Sequence, residues 1–401
     1  MKAETINAGG SGSSDRVQIC VLDPWHGFDA IEAEWRALSL MAECPSCFAS
    51  PSYFRAWRDT LSDDVEPFLL VARRGGLMQG VMPLMRATVR RGPLCAPRHD
   101  FAPSDRGLLG PGKPRPIRVD QLSPIVSMPA AWVGPAPLCL SPGRRQVVRA
   151  MASAIAGMTR WQVFALPVDA GDEQVEWLDA LRAAGLNPWV LELGRHIGGI
   201  TKVEPFATIV AQQNRNFRRN IRRAQQAANA AGLKIHVHEG RAEVAPRLPL
   251  LAAIAAQSWK QTGRANVDLT VPYLGAQQRF FERLITDPAT DPDGTPLLAI
   301  ATCAGTPVAA SLMMLHGDRL TGLVTFCNDQ IPEASPGMLV LGRMIDWVAE
   351  RGLAGFELNA THEWTRRLID ETRTQNIVVC FSRTLRGRAL ALISATARRL
   401  R

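Results

Sequence analysis

The stretch that most constrains this 401-residue chain is 320–367, LTGLVTFCNDQIPEASPGMLVLGRMIDWVAERGLAGFELNATHEWTRR. It reads as a strand (320–326), a loop (327–334), a helix, a second strand (353–358) and a polar turn. Ser335 is the expected N-cap, Pro336 takes the first helical position, and Gly352 follows the last turn. The helix is apolar almost all round (Met338, Leu339, Val340, Leu341, Met344, Ile345, Trp347, Val348), so both of its flanks are expected to be buried against other layers. A helix start with free N–H groups and the positive end of the dipole is an anion site at the mouth of a sheet. The second strand delivers His362 and Glu363 to the same mouth. An anionic anchor beside an acid/base pair suits transfer from a phosphate-bearing carrier; an ordinary capped helix on a sheet is the plain alternative.

The length implies two domains. An apolar fraction of 46% and a charged fraction of 21% belong to a folded globular protein and exclude global disorder. Only five of the 46 basic side chains are Lys, and the net charge of +9 favours phosphate-bearing or membrane-surface partners. The eight cysteines are scattered. Cys44 and Cys47 form a lone C-x-x-C with no second pair to complete a zinc site, so no metal is expected. Cys139, Cys303, Cys327 and Cys380 lie in apolar runs as small core residues, in keeping with a reduced, cytoplasmic setting. Residues 1–16 are polar and expected to be disordered, with neither the apolar stretch of a signal peptide nor, anywhere in the chain, that of a membrane span.

In order, the pattern predicts a strand at 17–22, helices at 28–41 and 52–61, and a hairpin at 68–72 and 78–85. Long loops around short strands follow over 91–143, then helices at 144–157 and 173–184 alternating with strands at 161–166 and 188–193. Gly194, Gly198 and Gly199 mark a boundary near 195–204, dividing the chain into domains at 17–200 and 201–401. The second half opens on a long helix, 205–231, then a strand (234–238), helices at 244–261 and 272–286 and a hairpin at 297–302 and 307–315. It closes with a strand at 376–382 and a basic helix at 385–400. One internal echo stands out: FLLVARRGGLMQGVMPLM (68–85) and LLAIATCAGTPVAASLMM (297–314) share a strand–turn–strand pattern at a constant offset, as expected of a duplicated α/β fold.

FASPSYFRAW (48–57), NRNFRRNIRRAQQAANAAG (214–232), AAIAAQSWKQTGR (252–264), GTPVAASLMML (305–315), the SPG helix with its ERG end, and ELNATHEWTR (357–366) occur in a collinear order. This ordered set resembles the CelD-like, cellulose-biosynthesis-type branch of the GNAT acyltransferase superfamily, close to Fem-type transferases. The resemblance implies an α/β (α+β) architecture of tandem GNAT-like domains. Each would be a mixed, mostly antiparallel twisted sheet flanked by helices, the N-terminal copy degenerate and the C-terminal copy carrying the site. It also implies acyl transfer from a thioester, usually acyl-CoA, to an amine or hydroxyl, with the donor's pantetheine arm between two splayed parallel strands, here 320–326 and 353–358. Relatives present a Gly-rich loop to the pyrophosphate where this chain has Ser335-Pro336-Gly337, so acyl carrier protein and aminoacyl-tRNA donors stay open beside acyl-CoA. In ELNATHEWTR, Glu357 matches the family's first acid, His362 stands in place of an Asp, and Arg366 keeps the cation.

Thioester attack needs a base within reach of the acceptor and a stabilised oxyanion. His362, Glu363 and Glu357 are the candidate catalytic groups, with His316 in reserve. Backbone N–H groups near Phe326, Cys327 and Asn328 are the expected oxyanion donors, and Ser335, Gly337, Met338 and Arg343 complete the expected donor site. Arg215, Arg218, Arg219 and Arg222 share one broad face of the 205–231 helix and suit the phosphates of a lipid, a nucleotide-linked sugar or tRNA, or else form a solvated face. With Trp259, Asn359 and Arg366 they make the expected substrate set. The C-terminal segment alternates apolar residues with Arg and is read as either a peripheral contact on the inner membrane or a packed helix with wet arginines. The functional expectation is acylation of an envelope-related acceptor, a sphingoid base or a polysaccharide-precursor sugar. The rivals are Fem-type transfer from aminoacyl-tRNA and a non-catalytic GNAT-fold binding protein.

Overall fold

In the computed structural model, the described residues are 4–6, 16–42, 47–60, 65–91, 117–124, 137–258, 275, 277–288, 293–358 and 365–399. The chain divides into two compact units, one of Met1–Arg195 with Thr374–Arg401 and the other of His196–Arg373.

The first unit begins with β1 (Glu4–Ile6), inside the segment expected to be disordered, and β2 (Gln18–Leu22). Helices α1 (Phe28–Met41) and α2 (Pro51–Arg58) follow. Spacing places Ile31, Trp35 and Leu38 on the inner face of α1, where all three are buried. Ser50 starts α2 by accepting the Tyr53 N–H at 3.2 Å. Phe28, Trp35 and Phe54 meet at centroid distances of 5.3–5.9 Å, and the Trp35 indole donates to the Ala49 carbonyl at 2.9 Å. β3 (Val65–Arg74) and β4 (Leu77–Arg91) form the expected hairpin, turned at Gly75-Gly76 with both φ positive. Next come β5 (Ile117–Pro124), the short β6 (Leu138–Cys139), α3 (Arg144–Gly157), β7 (Val163–Asp169) and α4 (Asp172–Ala183). α3 lays Val148, Met151 and Ile155 on the Leu70, Ala72, Met82 and Leu84 side of the hairpin, with Trp177 of α4 in the same core.

β8 (Trp189–Ile200) runs straight through the glycines that suggested a boundary. The long helix expected over 205–231 is two helices, α5 (Phe206–Ala211) and α6 (Arg215–Ala230). The break has a local cause: Asn214 leaves helical geometry and its side chain accepts the Phe217 N–H at 2.9 Å, starting a new helix. β9 (Lys234–Glu239), α7 (Arg241–Val244), α8 (Leu248–Gln257) and α9 (Gln278–Thr286) follow, the expected 244–261 helix being divided around Pro246 and Pro249. Then come β10 (Thr295–Cys303), β11 (Thr306–His316), β12 (Arg319–Cys327), α10 (Pro336–Glu350) and β13 (Gly355–Leu358). The chain ends with β14 (Glu371–Phe381) and α11 (Leu385–Arg399). In this second unit Leu297, Ala299, Ala309 and Met313 pack with Val340, Met344 and Val348 of α10. The alternate set, Leu298, Ile300, Ala310 and Leu312, is buried on the opposite face, where α8 packs.

Each unit repeats one strand plan. The first runs β1-β2-β3-β4-β5-β7-β14 and the second β9-β10-β11-β12-β13-β8. In both, an antiparallel meander meets one parallel neighbour across a helical crossover (β5 with β7 around α3; β12 with β13 around α10), and an antiparallel strand closes the sheet. The hairpins of the sequence echo hold equivalent places. The closing strand of each unit comes from the other half of the chain: Gln375–Phe381 of β14 pairs with β7, and Gly198–Ile200 of β8 pairs with β13. The sequence assigned everything from 201 onward to the second half, whereas Thr374–Arg401 lies in the first unit.

Candidate active site

β12 and β13 are paired over only three positions: Arg319 with Gly355, Leu320 with Phe356, and Thr321 with Glu357. Beyond them β12 continues to Cys327 with β11 alone as its ladder partner among the described residues. Just past these pairs β12 carries a bulge. Met313 faces Gly322 and Leu312 faces Val324, which leaves Leu323 as an extra residue on β12. Such an insertion bends the strand and leaves one peptide outside the ladder. β13 ends at Leu358 and pairs on its other side with Gly198–Ile200.

The C-terminal end of β12 lies beside the start of α10. A 3-10 turn, Pro332–Ala334, leads to Ser335 in the left-handed region (φ 44°, ψ 57°). Ser335 stands at the N-cap as the sequence indicates, yet its side chain caps nothing; its carbonyl receives the Met338 N–H at 2.9 Å and the Leu339 N–H at 3.3 Å. Pro336 has no N–H, which leaves Gly337 as the donor of this turn without a partner among the described residues. A left-handed non-glycine residue costs about 1–2 kcal/mol, and such strain collects at ligand clamps. A Cβ on Gly337 would lie 3.7 Å from the Cys327 Sγ, so the end of β12 and the start of α10 are side by side. Phe326, Cys327, Ser335, Gly337 and Met338 thus gather at one mouth.

Two residues expected in that group have other engagements. Arg343 pairs with Glu350 at 3.0 Å, toward the far end of the helix. Asn328 is buried; its backbone N–H continues the ladder to Val308 at 3.0 Å, its amide nitrogen lies 3.3 Å from the Gln257 Oε1, and its Oδ1 accepts the Gln330 N–H. It locks the loop after β12 and has no N–H left for an oxyanion, since a strand-end amide that finds a ladder acceptor stays with it.

His316 is removed from the mouth. It ends β11 opposite Arg319, at the other end of β12 from Cys327, eight strand steps or roughly 26 Å away. Its Nδ1 meets the Asp293 carbonyl, and its Nε2 is buried without a partner among the described residues. It is thus not brought together with the residues at the start of α10. Glu357 faces Thr321 in the parallel ladder and pairs with Arg373 at 3.2 Å. His362, Glu363, Asn359 and Trp259 lie outside the described residues.

The basic helix stands beside this mouth. α6 buries Phe217, Ile221, Ala224 and Ala228 and exposes Arg215, Arg218, Arg219, Arg222 and Arg223. It packs against the Pro332–Ala334 turn that leads into α10 and against α10 itself. Arg218 reaches back to the Ala211 and Gln213 carbonyls at 3.1 and 2.9 Å, capping α5, whereas Arg219 and Arg222 project to solvent. From the other side, Arg367 lies 5.5 Å above the Phe217 ring, which ties the turn after β13 to the same helix; Arg366 beside it is exposed. Arg367 was not singled out by the sequence, since a cation–π contact across 150 residues leaves no local pattern.

A cavity of about 310 Å³ lies between α5 and residues 367–370, lined among others by Lys202, Gln212, Gln213, Arg367 and Asp370. Burial alone would raise the Asp370 pKa, but hydrogen bonds from the Thr201 and Lys202 N–H groups and the Thr201 hydroxyl outweigh it and hold the carboxyl below its ordinary range. Among the described residues no group of three or more His, Cys, Asp or Glu is placed to hold a metal.

The first unit has the corresponding parallel pair, β5 with β7, around α3. There the helix starts on Arg144, whose guanidinium pairs with Glu173 and Glu176 at 2.9 Å each. Two carboxylates at that helix start disfavour a phosphate.

With this geometry described, residues 215–366 match the family model "Acetyltransferase (GNAT) domain". No curated protein matches the chain in sequence. Among solved structures, the chain is similar to FemX, with a TM-score of 0.54 at 13% identity, covering 90% of this chain and 98% of that one. It is also similar to a conserved protein of unknown function from Bacteroides thetaiotaomicron, with a TM-score of 0.51 at 10% identity, covering 88% and 97%. At such identities the likeness is one of fold alone. The matched residues take in α6, β12, α10 and β13.

Proposed function

We propose that the GNAT-matched region transfers an acyl group from a thioester donor, acyl-CoA in the first instance, to an amine or hydroxyl of an envelope-related acceptor. The observation that supports this reading is the short parallel pairing of β12 with β13, which ends at Thr321 and Glu357, together with the end of β12 lying beside the helix start whose Gly337 N–H has no partner among the described residues. In this reading the donor's arm lies in an opening between the two strands, and its phosphates meet Gly337 and the exposed Arg219 and Arg222. Leu323, the bulged residue, offers its peptide N–H to the developing oxyanion. His362, with Glu363 beside it, takes the proton from the attacking amine or hydroxyl; the new C–N or C–O bond forms as the C–S bond breaks, and the thiolate leaves with an ordinary pKa of about 8.5. The acceptor classes are a sphingoid base, giving a ceramide-type N-acylation, and a polysaccharide-precursor sugar, as in the CelD-like branch that the chain resembles.

Thiol release from a panel of acyl-CoAs, with and without sphingoid bases and amino sugars, tests this. Acceptor-dependent release that disappears in His362→Ala supports it. Absence of release with every donor favours a binding protein. One observation favours a second reading: Ser335-Pro336-Gly337 presents a single free N–H where a Gly-rich loop would present several, while α6 offers a run of arginines suited to a longer polyanion. That is Fem-type transfer from aminoacyl-tRNA, and it predicts activity that RNase abolishes and free acyl-CoA does not support.

A further inference from the structure

The C-terminal helix α11 is built inside-out. Its buried positions are Gly387, Leu390 and Ser394, with Ala391 and Ala395 half-buried. Gly387 is required where it sits, since a Cβ there would fall 2.3 Å from the Ser382 carbonyl oxygen. The helix therefore presses its small side onto its own unit and turns its large apolar residues outward: Leu385 is 87% exposed, Leu392 71% and Ile393 44%. At 100° per residue, Leu385, Ala389, Leu392 and Thr396 mark the middle of the solvent face. Arg388 flanks them on one side, with Arg386 and Ile393 on the other; both arginines are exposed, and Arg386 also donates to the Arg118 carbonyl at 2.5 Å. A solvated helix carries charge at the centre of its outer face and apolar residues inside; here that order is reversed.

Charge around the face has one sign. From Leu385 to Arg401 there are five Arg and no Asp or Glu. An apolar centre flanked by cations matches the interfacial zone of an anionic bilayer, where leucines enter the acyl boundary and guanidiniums stay at the phosphates. No helix among the described residues is long and apolar enough to cross a membrane, so the contact is peripheral.

We infer that the outer face of α11 docks the protein onto an anionic lipid surface through Leu385, Leu392 and Ile393, with Arg386 and Arg388 on the headgroup phosphates. The inference is independent of the acyl-transfer reading, because it rests on one helix of the first unit.

The test is flotation of the full chain with phosphatidylcholine vesicles that contain or lack phosphatidylglycerol. The wild type is expected to float with the anionic vesicles and to be released by salt. Leu385→Ser with Leu392→Ser should lower the bound fraction by roughly tenfold or more while the thermal midpoint stays put, since both side chains are solvent-facing. Arg388→Gln should weaken binding about fivefold and flatten its salt dependence. Leu392→Trp should show a blue-shifted emission on anionic vesicles only. Wild-type protein that stays unbound overturns the proposal, as does binding unmoved by the double Leu variant. So does a stable dimer that the double Leu variant dissolves, which would assign the face to a second copy of this chain.

Discussion

Gly342 and Phe206 provide a sharp test of how the start of the donor site is held. A Cβ at Gly342 would lie 2.7 Å from two carbons of the buried Phe206 ring and 3.1 Å from a third, against an ordinary carbon–carbon contact of about 3.5–4.0 Å. One turn along α10, the Asp346 Oδ1 accepts the Phe206 N–H at 2.7 Å, so α5 is fixed to α10 at two points. In an isolated helix Gly→Ala stabilises by about 1 kcal/mol. Here the ring must retreat by roughly 1 Å, an overpacking that costs about 1–3 kcal/mol. Gly342→Ala should therefore destabilise by about 1 kcal/mol net. Phe206→Ala costs about 3–5 kcal/mol by itself, but in that background Gly342→Ala has room and should stabilise by about 1 kcal/mol. The coupling of about 2 kcal/mol, with its change of sign, is read from urea midpoints of the four proteins. A stabilising Gly342→Ala in the wild-type background, or the same shift in both backgrounds, would refute the docking of α5 on α10.

Asp370→Asn should cost about 1 kcal/mol at neutral pH by weakening the hydrogen bonds to residues 201 and 202. Because the folded-state carboxyl is held below its ordinary value, the wild-type advantage is present above about pH 4 and fades as pH falls through the lowered pKa, so melting curves of the two proteins should converge in acid. Arg144→Ala leaves Glu173 and Glu176 without their shared partner and should lower stability by about 2 kcal/mol in urea titrations, without altering donor KM, since the reading puts no donor at α3. Arg219→Gln with Arg222→Gln should raise the donor KM about tenfold with little change in thermal midpoint; unchanged KM would remove α6 from the donor site. Burial pushes the Cys139 thiol up to about 11 and the Cys380 thiol further still, so neither should react with a thiol reagent at pH 8 until the protein unfolds.

Much of the architecture was legible because it depends on local period and turn chemistry. The two hairpins announced themselves by Gly-Gly and Ala-Gly turns between apolar runs, and their echo gave the duplicated plan. The helix from Pro336 was legible from its apolar surface and its Pro and Gly ends. What escaped was non-local. No residue of β8 or β14 states which sheet edge it will close, since pairing is decided by distant partners, and so the exchange of closing strands was invisible. The break between α5 and α6 hung on Asn214, a good N-cap hidden in a polar run with no Gly or Pro. At the site, the mouth residues from Phe326 to Met338 could be grouped from one strand–helix unit. His316 lies away from those residues because a hairpin carries a residue at its turn to the opposite end of the strand. Arg343 was misplaced because its partner Glu350 lies two turns on along its own helix.

The central claim, that the opening between β12 and β13 receives a carrier's thioester arm, is most directly tested by a crystal structure with a non-cleavable thioether analogue of acyl-CoA. The account predicts the sulfur beside the Leu323 bulge and the pyrophosphate on the Gly337 N–H, with Arg219 or Arg222 in contact. An analogue bound elsewhere, or an opening filled by the protein's own side chains with no analogue bound, would contradict it.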